Sequence, residues 1–327
     1  MVTIECSSAC QQEVRYILSV IFGQTLGLEY EVIFKESENF TLLYEGKKII
    51  LPNQFFPQAE NNWLDESTLP KSPIQKLVIN DPYLIERLEG NDLPVIYGEA
   101  KYVFNDCEAY IGIDVFGASF FMLSLYEEAV KPHRDQLGRF PVAQSLAYQE
   151  KFLSRPIINE YIELLWFTIS RVFTGFTRKD RQFRFFATQD VDNAFFSRKK
   201  IGLKAIRLLI GDITKRRSAL LAVKRSLCCI LPEYLAQRFD PYNTFDFFIN
   251  ALEAYGLKGA FFFIPGATQE AAKIHCDINE SRALAVVKRI ASKGHELGIH
   301  PYYGSYKDKD KLNHEKKYLI DSLSVQV

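Results

Sequence analysis

The sequence predicts an α/β protein of two domains, a mixed α+β domain over residues 1–180 and a parallel β/α domain over residues 181–327. A length of 327 residues exceeds that of most single domains, and 47% hydrophobic residues are enough for two cores. Segments that alternate apolar and polar residues dominate the first part. In the second part strand-like and helix-like segments follow each other, with a basic helical insertion at about 196–238.

The first domain is predicted to begin with half-buried strands. The segments EYEVIFKES and FTLLYEGKKIILP alternate in polarity, and the glycine within the latter indicates a hairpin. Residues 53–72 are polar and contain proline, which is typical of a surface loop. A strand and then a helix are predicted over YVFNDCEAYIGIDVFGASFFMLSLYEE, with Asp114 as the helix cap, and a second helix over RPIINEYIELLWFTISRVF begins near Pro156.

The second domain is predicted to alternate strands and helices. Its strands are FRFFATQDVD, KGAFFFIPG and HELGIHP, and its helices outside the insertion are PYNTFDFFINALEAYGL and NESRALAVVKRIASKG. Short links in this order are typical of a parallel sheet. In such sheets the functional residues collect at the carboxyl ends of the strands.

The charge of the chain is balanced overall but not locally. Forty basic and forty acidic residues give a net charge of zero, so no global field attracts nucleic acid or an anionic membrane. Between Arg198 and Arg225, however, ten basic residues accompany a single acid, Asp212, with isoleucine and leucine between them. This pattern predicts amphipathic helices. Peripheral contact with a membrane or anionic polymer is one hypothesis, and a solvated face or a lid is the other. The segment contains no nucleic-acid-binding motif.

The six cysteines and the chain start both favour a cytoplasmic protein. No CxxC pair occurs, so neither a disulfide framework nor a thiolate zinc site is predicted. Cys228 and Cys229 lie in the apolar run LCCILP, where buried and unreactive thiols are expected. The first residues lack the features of a secretory signal, and no apolar run is long enough to span a membrane.

Asp190 and Asp192 are the strongest candidates for a functional site. They end a predicted strand, and the two-residue period of a strand places both side chains on one face. Adjacent carboxylates are costly unless a cation or a proton lies between them. One could therefore bind a divalent ion while the other acts as a general base. Capping of the following turn is the alternative role.

A histidine follows the last predicted strand in a comparable position. His300 lies at the carboxyl end of that strand, where a metal ligand is expected, although a purely structural role stays open. His295 lies five positions before His300, an odd number, so the two side chains are expected on opposite faces of the strand. We expect His295 to be buried and to bond the backbone.

Four segments resemble a known enzyme family. ATQDVDNAF, DPYNTFDFF, GAFFFIPG and GHELGIHPYY occur in the order found in NodB-like polysaccharide deacetylases, and the resemblance covers about residues 183–327. The preceding segments GIDVFGASFFMLSLYEE and RDQLGRFPVAQSLAYQEKFLSRPIINEYIELLW resemble an uncharacterised domain found ahead of such deacetylases in bacterial proteins. The resemblance implies a deformed (β/α) barrel, of which this chain holds a part. It also implies removal of an N-acetyl or O-acetyl group from a carbohydrate with the help of a divalent metal, for which zinc is the first candidate.

The resemblance also implies roles for individual residues. Asp190 matches the catalytic base. Val191 stands where the family has its metal-binding aspartate, so Asp192 becomes the candidate ligand. His300 matches the first of two metal histidines, and Gly304 stands at the position of the second.

The third ligand is therefore not identified, and Ser305, Tyr303 or water are candidates for that place. We assign Pro301, Tyr302 and Tyr303, which follow His300, to substrate contact.

The chain is expected to hold only part of such a barrel. Roughly 140 residues follow from Asp190 onward, whereas a complete barrel takes about 200 or more. Counterparts of the family's later segments are missing, and SLSVQV ends the chain where another strand is expected to begin. We expect poor or no turnover from this chain. A non-catalytic relative that binds a glycan or a partner protein is the alternative function.

Overall fold

A computed structural model describes residues 1–196 and 203–324. The chain divides into two compact units, Met1–Arg181 and Gln182–Val327, each with its own hydrophobic core. The predicted α/β class is confirmed. Within the described ranges the strands form a six-stranded, a three-stranded and a two-stranded sheet, and none of these closes into a barrel.

The first unit contains eight strands. Six of them form a mixed sheet in the order β2-β1-β3-β4-β8-β7, and the other two, β5 and β6, pair with each other. The strands are β1 (Val2–Cys6), β2 (Tyr30–Phe34), β3 (Asn39–Tyr44), β4 (Lys47–Pro52), β5 (Gln75–Val78), β6 (Asp92–Val95), β7 (Gly98–Phe104) and β8 (Glu108–Ile113).

Seven helices accompany these strands. They are α1 (Gln11–Leu18), which continues as a π-helical segment over Ser19–Leu26, α2 (Phe55–Asn61), α3 (Pro82–Ile85), α4 (Val115–Leu123), α5 (Tyr126–Val130), α6 (Leu146–Gln149) and α7 (Ile157–Val172). The long helix α7 has Pro156 as its N-cap residue, as predicted. Its buried residues include Leu164, Leu165 and Ile169, which pack in the core of this unit.

Aromatic residues fill the core of the first unit. Phe40 on β3 lies against Phe56 of α2 and Phe116 of α4, with ring centroids 6.2 and 4.7 Å apart. Phe55 and Phe56 are fully buried at the start of α2. The predicted surface loop over residues 53–72 is therefore wrong in its first part, because this polar segment contains a helix whose phenylalanines enter the core.

The hairpin between β3 and β4 is confirmed. Their antiparallel register places Tyr44 opposite Lys47, which leaves a two-residue turn. Both turn residues, Glu45 and Gly46, have positive φ angles of 47° and 75°. This backbone is the type I′ geometry that matches the twist of the flanking strands, and glycine adopts it without a steric cost.

The second unit is built on a sheet of three parallel strands in chain order. The strands are β9 (Ala187–Val191), β10 (Gly259–Phe263) and β11 (Glu296–Ile299). The helices are α8 (Leu203–Thr214), α9 (Ala219–Ile230), α10 (Glu233–Ala236), α11 (Phe245–Ala254), α12 (Gln269–Ile274), α13 (Ser281–Ser292) and α14 (Lys309–Ser324). The alternation of strands and helices predicted here is confirmed.

One difference concerns the first strand of this sheet. The sequence predicts a strand from Phe183, but β9 begins at Ala187, and Phe183, Phe185 and Phe186 are largely exposed. The apolar run in front of β9 therefore does not pair in the sheet.

The basic insertion is helical, as its pattern predicts. Helices α8 and α9 lie within it, whereas Arg198, Lys199 and Lys200 are outside the described residues. In the ranges that the structure covers, no helix combines the length and the apolar character needed to cross a membrane.

Candidate functional site

The three-stranded sheet has two unlike faces. Val191, Phe261 and Phe263 point to one face and are buried in the core with α11 and α13. On the other face Asp190 lies in register with Phe262 of β10, which in turn is in register with Gly298 of β11. None of these three residues is fully buried. This second face, which we call the open face, carries the candidate site.

His300 extends the open face beyond the end of β11. Its backbone N–H donates to the carbonyl of Phe263 at 2.8 Å and so continues the parallel pairing of β10 and β11. Being two residues after Gly298, it projects to the same side of the sheet. His300 Nε2 lies 3.9 Å from Asp190 Oδ2, and the two side chains are 33% and 67% exposed. The two residues predicted from separate motifs thus meet across the middle strand.

Gly298 leaves room for the ring of Phe262 against the backbone of β11. A Cβ atom on Gly298 would be 2.3 Å from Cδ1 of the Phe262 ring, so a larger residue would displace the ring. The Phe262 ring therefore lies against β11 at the register position between Asp190 and Gly298. This contact was not predicted from the sequence, although an isolated glycine within a strand often marks such a close approach.

Asp192 lies at the same strand end as Asp190, but its contacts are different. Its side chain is exposed, and its backbone carbonyl accepts a hydrogen bond from Nδ1 of His275 at 2.8 Å. The ring of His275 also contacts Tyr302 edge-on, with centroids 5.9 Å apart. Within the described part of the chain, no ion pair or hydrogen bond joins the Asp192 carboxylate to His300. His275 thus links the end of β9 to the segment after His300.

The turn after His300 is fixed by a buried acid on α14. Glu315, 1% exposed, accepts the hydroxyl of Ser305 at 2.8 Å and the backbone N–H of Tyr302 at 3.2 Å. The Ser305 hydroxyl is therefore engaged by α14, and in the described part of the chain no hydrogen bond joins it to Asp190 or His300. Glu315 was missed in the sequence. The available signal was an acid on the same helix face as the buried Leu319 and Ser322.

The predicted substrate residues differ in their surroundings. Tyr302 is half-buried against His275, whereas Pro301 and Tyr303 are exposed. The Tyr303 ring lies 5.7 Å from that of Tyr306.

A cavity of about 370 Å³ opens at the carboxyl end of β9. Its lining includes Asp190 and Asp192, the core residues Val191 and Phe261 of the opposite face, and Tyr242, Thr244 and Phe248. Such a volume accommodates a small ligand, and a mixture of polar and aromatic side chains suits a sugar ring.

His295 has the structural role that the sequence predicts. It is 6% exposed, and its Nδ1 accepts the backbone N–H of Gly259 at 3.1 Å. Burial, and next the positive charge of Lys258, lower the pKa of His295 below its ordinary value of 6.5. The acceptor role requires the neutral ring, with the proton on Nε2.

The buried cysteine near the site is not a nucleophile. Cys276 follows His275, but its thiol donates to the carbonyl of Phe195 at 3.3 Å, and burial raises its pKa. Thiol chemistry requires the opposite shift, because the thiolate is the reactive form. Of the two cysteines expected to be buried, Cys228 is 2% exposed as predicted, whereas Cys229 is only half-buried.

The donors at the open face fit a divalent ion only in part. Asp190 Oδ2 and His300 Nε2 are close enough to contact one ion, and Asp192 stands exposed at the same strand end. Across the described residues, however, there is no cluster of three His, Cys, Asp or Glu side chains suited to a metal. His300 Nδ1 is buried without a hydrogen-bond partner, whereas a metal histidine normally donates its second N–H. These donors fit an ion with solvent completing its coordination, not a closed zinc site.

Comparison with known families identifies the first unit. The model of a family of unknown function, DUF7033, matches residues 2–174, which is more than half of the chain. The chain belongs to this family. The match ends just after α7 and includes every strand of the six-stranded sheet. No curated protein and no solved structure matches the chain.

Proposed function

We propose that the second unit of this DUF7033 protein is part of a deacetylase-type (β/α) barrel that hydrolyses an acetyl group on a carbohydrate. One observation carries the proposal: Asp190 and His300 meet at 3.9 Å across the carboxyl ends of parallel strands. Enzymes with parallel sheets use this edge for catalysis. The resemblance of four segments to NodB-like deacetylases supports the same reaction class.

In the proposed mechanism three side chains have separate roles. His300 and Asp192 would hold a divalent ion, which supplies a polarised acetyl carbonyl and a more acidic water. Asp190 accepts the proton of the attacking water, because its carboxylate is exposed beside His300. Tyr242 and Phe248 in the adjoining cavity offer aromatic faces against which the sugar can pack.

Release of acetate from an acetylated chitooligosaccharide tests the proposal. The purified full chain is assayed with added zinc, manganese or cobalt beside Asp190→Asn and His300→Asn. We expect slow turnover by the parent chain, a loss of more than tenfold in both variants, and no change in Asp321→Asn, an exposed acid on α14. Turnover that survives both site substitutions would contradict the assignment.

A non-catalytic glycan-binding protein is the second candidate. The observation that favours it is the number of donors, because His300 contacts the proposed base Asp190 and the described residues contain no cluster of three His, Cys, Asp or Glu side chains suited to a metal. Binding of the oligosaccharide without acetate release under all three metal conditions would support this function over hydrolysis.

A further inference from the structure

The basic insertion folds into a helical hairpin closed by a buried ion pair. We call Leu203–Ile230 the basic hairpin; it consists of α8, a short connection and α9. Asp212 of α8 is fully buried and accepts two hydrogen bonds from Nη1 of Arg225 on α9, at 2.9 and 3.0 Å. Arg216 donates to the same carboxylate at 2.7 Å. The polar contact between the two helices is therefore on the inside of the hairpin.

Large aliphatic side chains lie on the outside. Ile206, Ile210 and Ile213 follow each other along one face of α8, and each is more than half exposed. On α9 a second row contains Leu220, Val223 and Ile230, which are 66%, 54% and 78% exposed. This face is opposite to the buried residues Ala222, Arg225 and Cys228. Each helix thus has an apolar row directed into solvent, which is unusual for a helix packed in a globular core.

Unpaired cations accompany these rows. The hairpin contains seven basic residues and one acid, and that acid is occupied by Arg216 and Arg225. In the described part of the chain Arg207, Lys215, Arg217 and Lys224 have no acidic partner. An apolar surface flanked by unpaired cations is complementary to a partner that has an apolar interior beneath an anionic surface.

A membrane surface meets both requirements, whereas other partners meet only one. A polyanion would neutralise the cations but leave the isoleucines in water. A second copy of the chain could cover the isoleucines, but it would bring like charges together. Amphipathic helices with Lys and Arg beside the apolar face bind in the interface plane of anionic bilayers without spanning them.

We propose that the basic hairpin docks on membranes that contain anionic lipids, with its isoleucine and leucine rows in the interface and its cations at the lipid phosphates. Arg225 fixes the hairpin to the rest of the second unit, because its guanidinium lies 5.7 Å from the Phe196 ring and 5.9 Å from that of Tyr242. Tyr242 also lines the cavity beside Asp190. The proposal does not depend on the chemistry proposed for that cavity.

Co-sedimentation of the full chain with vesicles tests this proposal. Vesicles of phosphatidylcholine with one-third phosphatidylserine are compared with pure phosphatidylcholine at low and high salt. The apolar variant replaces Ile206, Ile210 and Ile213 with Gln, and the charge variant replaces Lys215, Arg217 and Lys224 with Glu. Arg216 is left intact because it bonds Asp212. Matched controls replace the exposed Val103 with Gln, and Lys309, Lys316 and Lys317 with Glu.

We expect binding to the serine-containing vesicles that weakens in high salt and falls more than tenfold in both hairpin variants but in neither control. Circular dichroism of each variant shows whether its helices are retained. An absence of vesicle binding would overturn the proposal. It would also be overturned if the apolar variant bound as well as the parent, if heparin bound while vesicles did not, or if the isoleucines instead drove concentration-dependent dimerisation.

Discussion

Asp114 holds the start of two helices through three backbone N–H groups. Its Oδ2 accepts from Gln54 and Phe55 at 2.9 Å, and its Oδ1 accepts from Gly117 at 2.8 Å as the cap of α4. The sequence predicts the cap on α4, since the acid lies directly before the helix. It does not reveal the bonds to α2, because their donors are about sixty residues away. The polar composition of residues 53–72 predicted a loop because it does not show this long-range cap.

Replacing Asp114 should destabilise the first unit strongly. Asp114→Ala leaves three N–H groups without their acceptor, and we expect the free energy of unfolding to fall by about 3 kcal/mol or more. Asp114→Asn keeps one acceptor oxygen and should cost about half of that. Urea unfolding followed by tryptophan fluorescence measures this, because both tryptophans, Trp63 and Trp166, are in the first unit. The control is Asp65→Ala, which removes an exposed cap; an equal loss there would contradict the argument.

His295 should make the second unit sensitive to acid. Its pKa is lowered in the folded state, so the folded chain binds fewer protons than the unfolded chain below pH 6.5. Its contribution to stability is present above pH 6.5 and is lost as the pH falls through the lowered pKa. Protonation of Nδ1 would also break the hydrogen bond from Gly259.

We therefore expect the urea midpoint of the second unit to be lower at pH 5.0 than at pH 7.5. Far-UV circular dichroism follows the whole chain, and tryptophan fluorescence identifies the transition of the first unit. In His295→Asn an amide oxygen can accept from Gly259 without titrating, and the decrease should become smaller. The same decrease in this variant would assign the acid sensitivity to other groups.

At the scale of elements, the basic hairpin depends on its internal ion pair. Loss of Asp212 would leave the buried guanidinium of Arg225 without a counter-charge, which costs about 3–5 kcal/mol. We expect Asp212→Ala to open the hairpin and to accelerate tryptic cleavage at Lys215, Arg216 and Arg217 by more than tenfold.

A second variant separates charge from packing. Replacing Asp212 with Leu and Arg225 with Met removes both charges, and cleavage should return towards the parent rate because no unpaired charge remains. Equally fast cleavage in the double variant would show that the ion pair does not hold the hairpin.

Two elements were predicted from patterns that are local in the chain. The hairpin of β3 and β4 follows from alternation around a glycine, and α7 follows from an apolar stripe behind Pro156. The predicted strand at Phe183 was wrong because apolar content alone does not provide a pairing partner. The pairing partners of β9 come from β10, about seventy residues later.

The candidate site could be predicted in part from the sequence. Asp190 and His300 were both expected at strand ends, and their contact follows from the parallel order of the sheet. The supporting residues could not be predicted in the same way. Gly298, His275 and Glu315 act through contacts with a ring, a carbonyl and a turn, and none of these contacts leaves a periodic pattern.

At the scale of the whole molecule, the chain joins a DUF7033 unit to a smaller unit built on a parallel sheet. The first unit has the larger and more aromatic core, while the second carries the proposed site and the basic hairpin. Our central proposal is that the open face of the second unit binds a divalent ion beside Asp190, the proposed catalytic base. Metal binding is therefore tested on the intact chain.

The most direct measurement is the metal content per chain, by elemental analysis of protein purified without chelator and then equilibrated with zinc. We expect close to one ion per parent chain, loss of that ion in Asp192→Ala and in His300→Ala, and its retention in Asp190→Asn, because Asp190 is proposed as the base. Loss of the ion in Asp190→Asn would make Asp190 a ligand and contradict that role. A parent chain that binds no ion would contradict the central proposal.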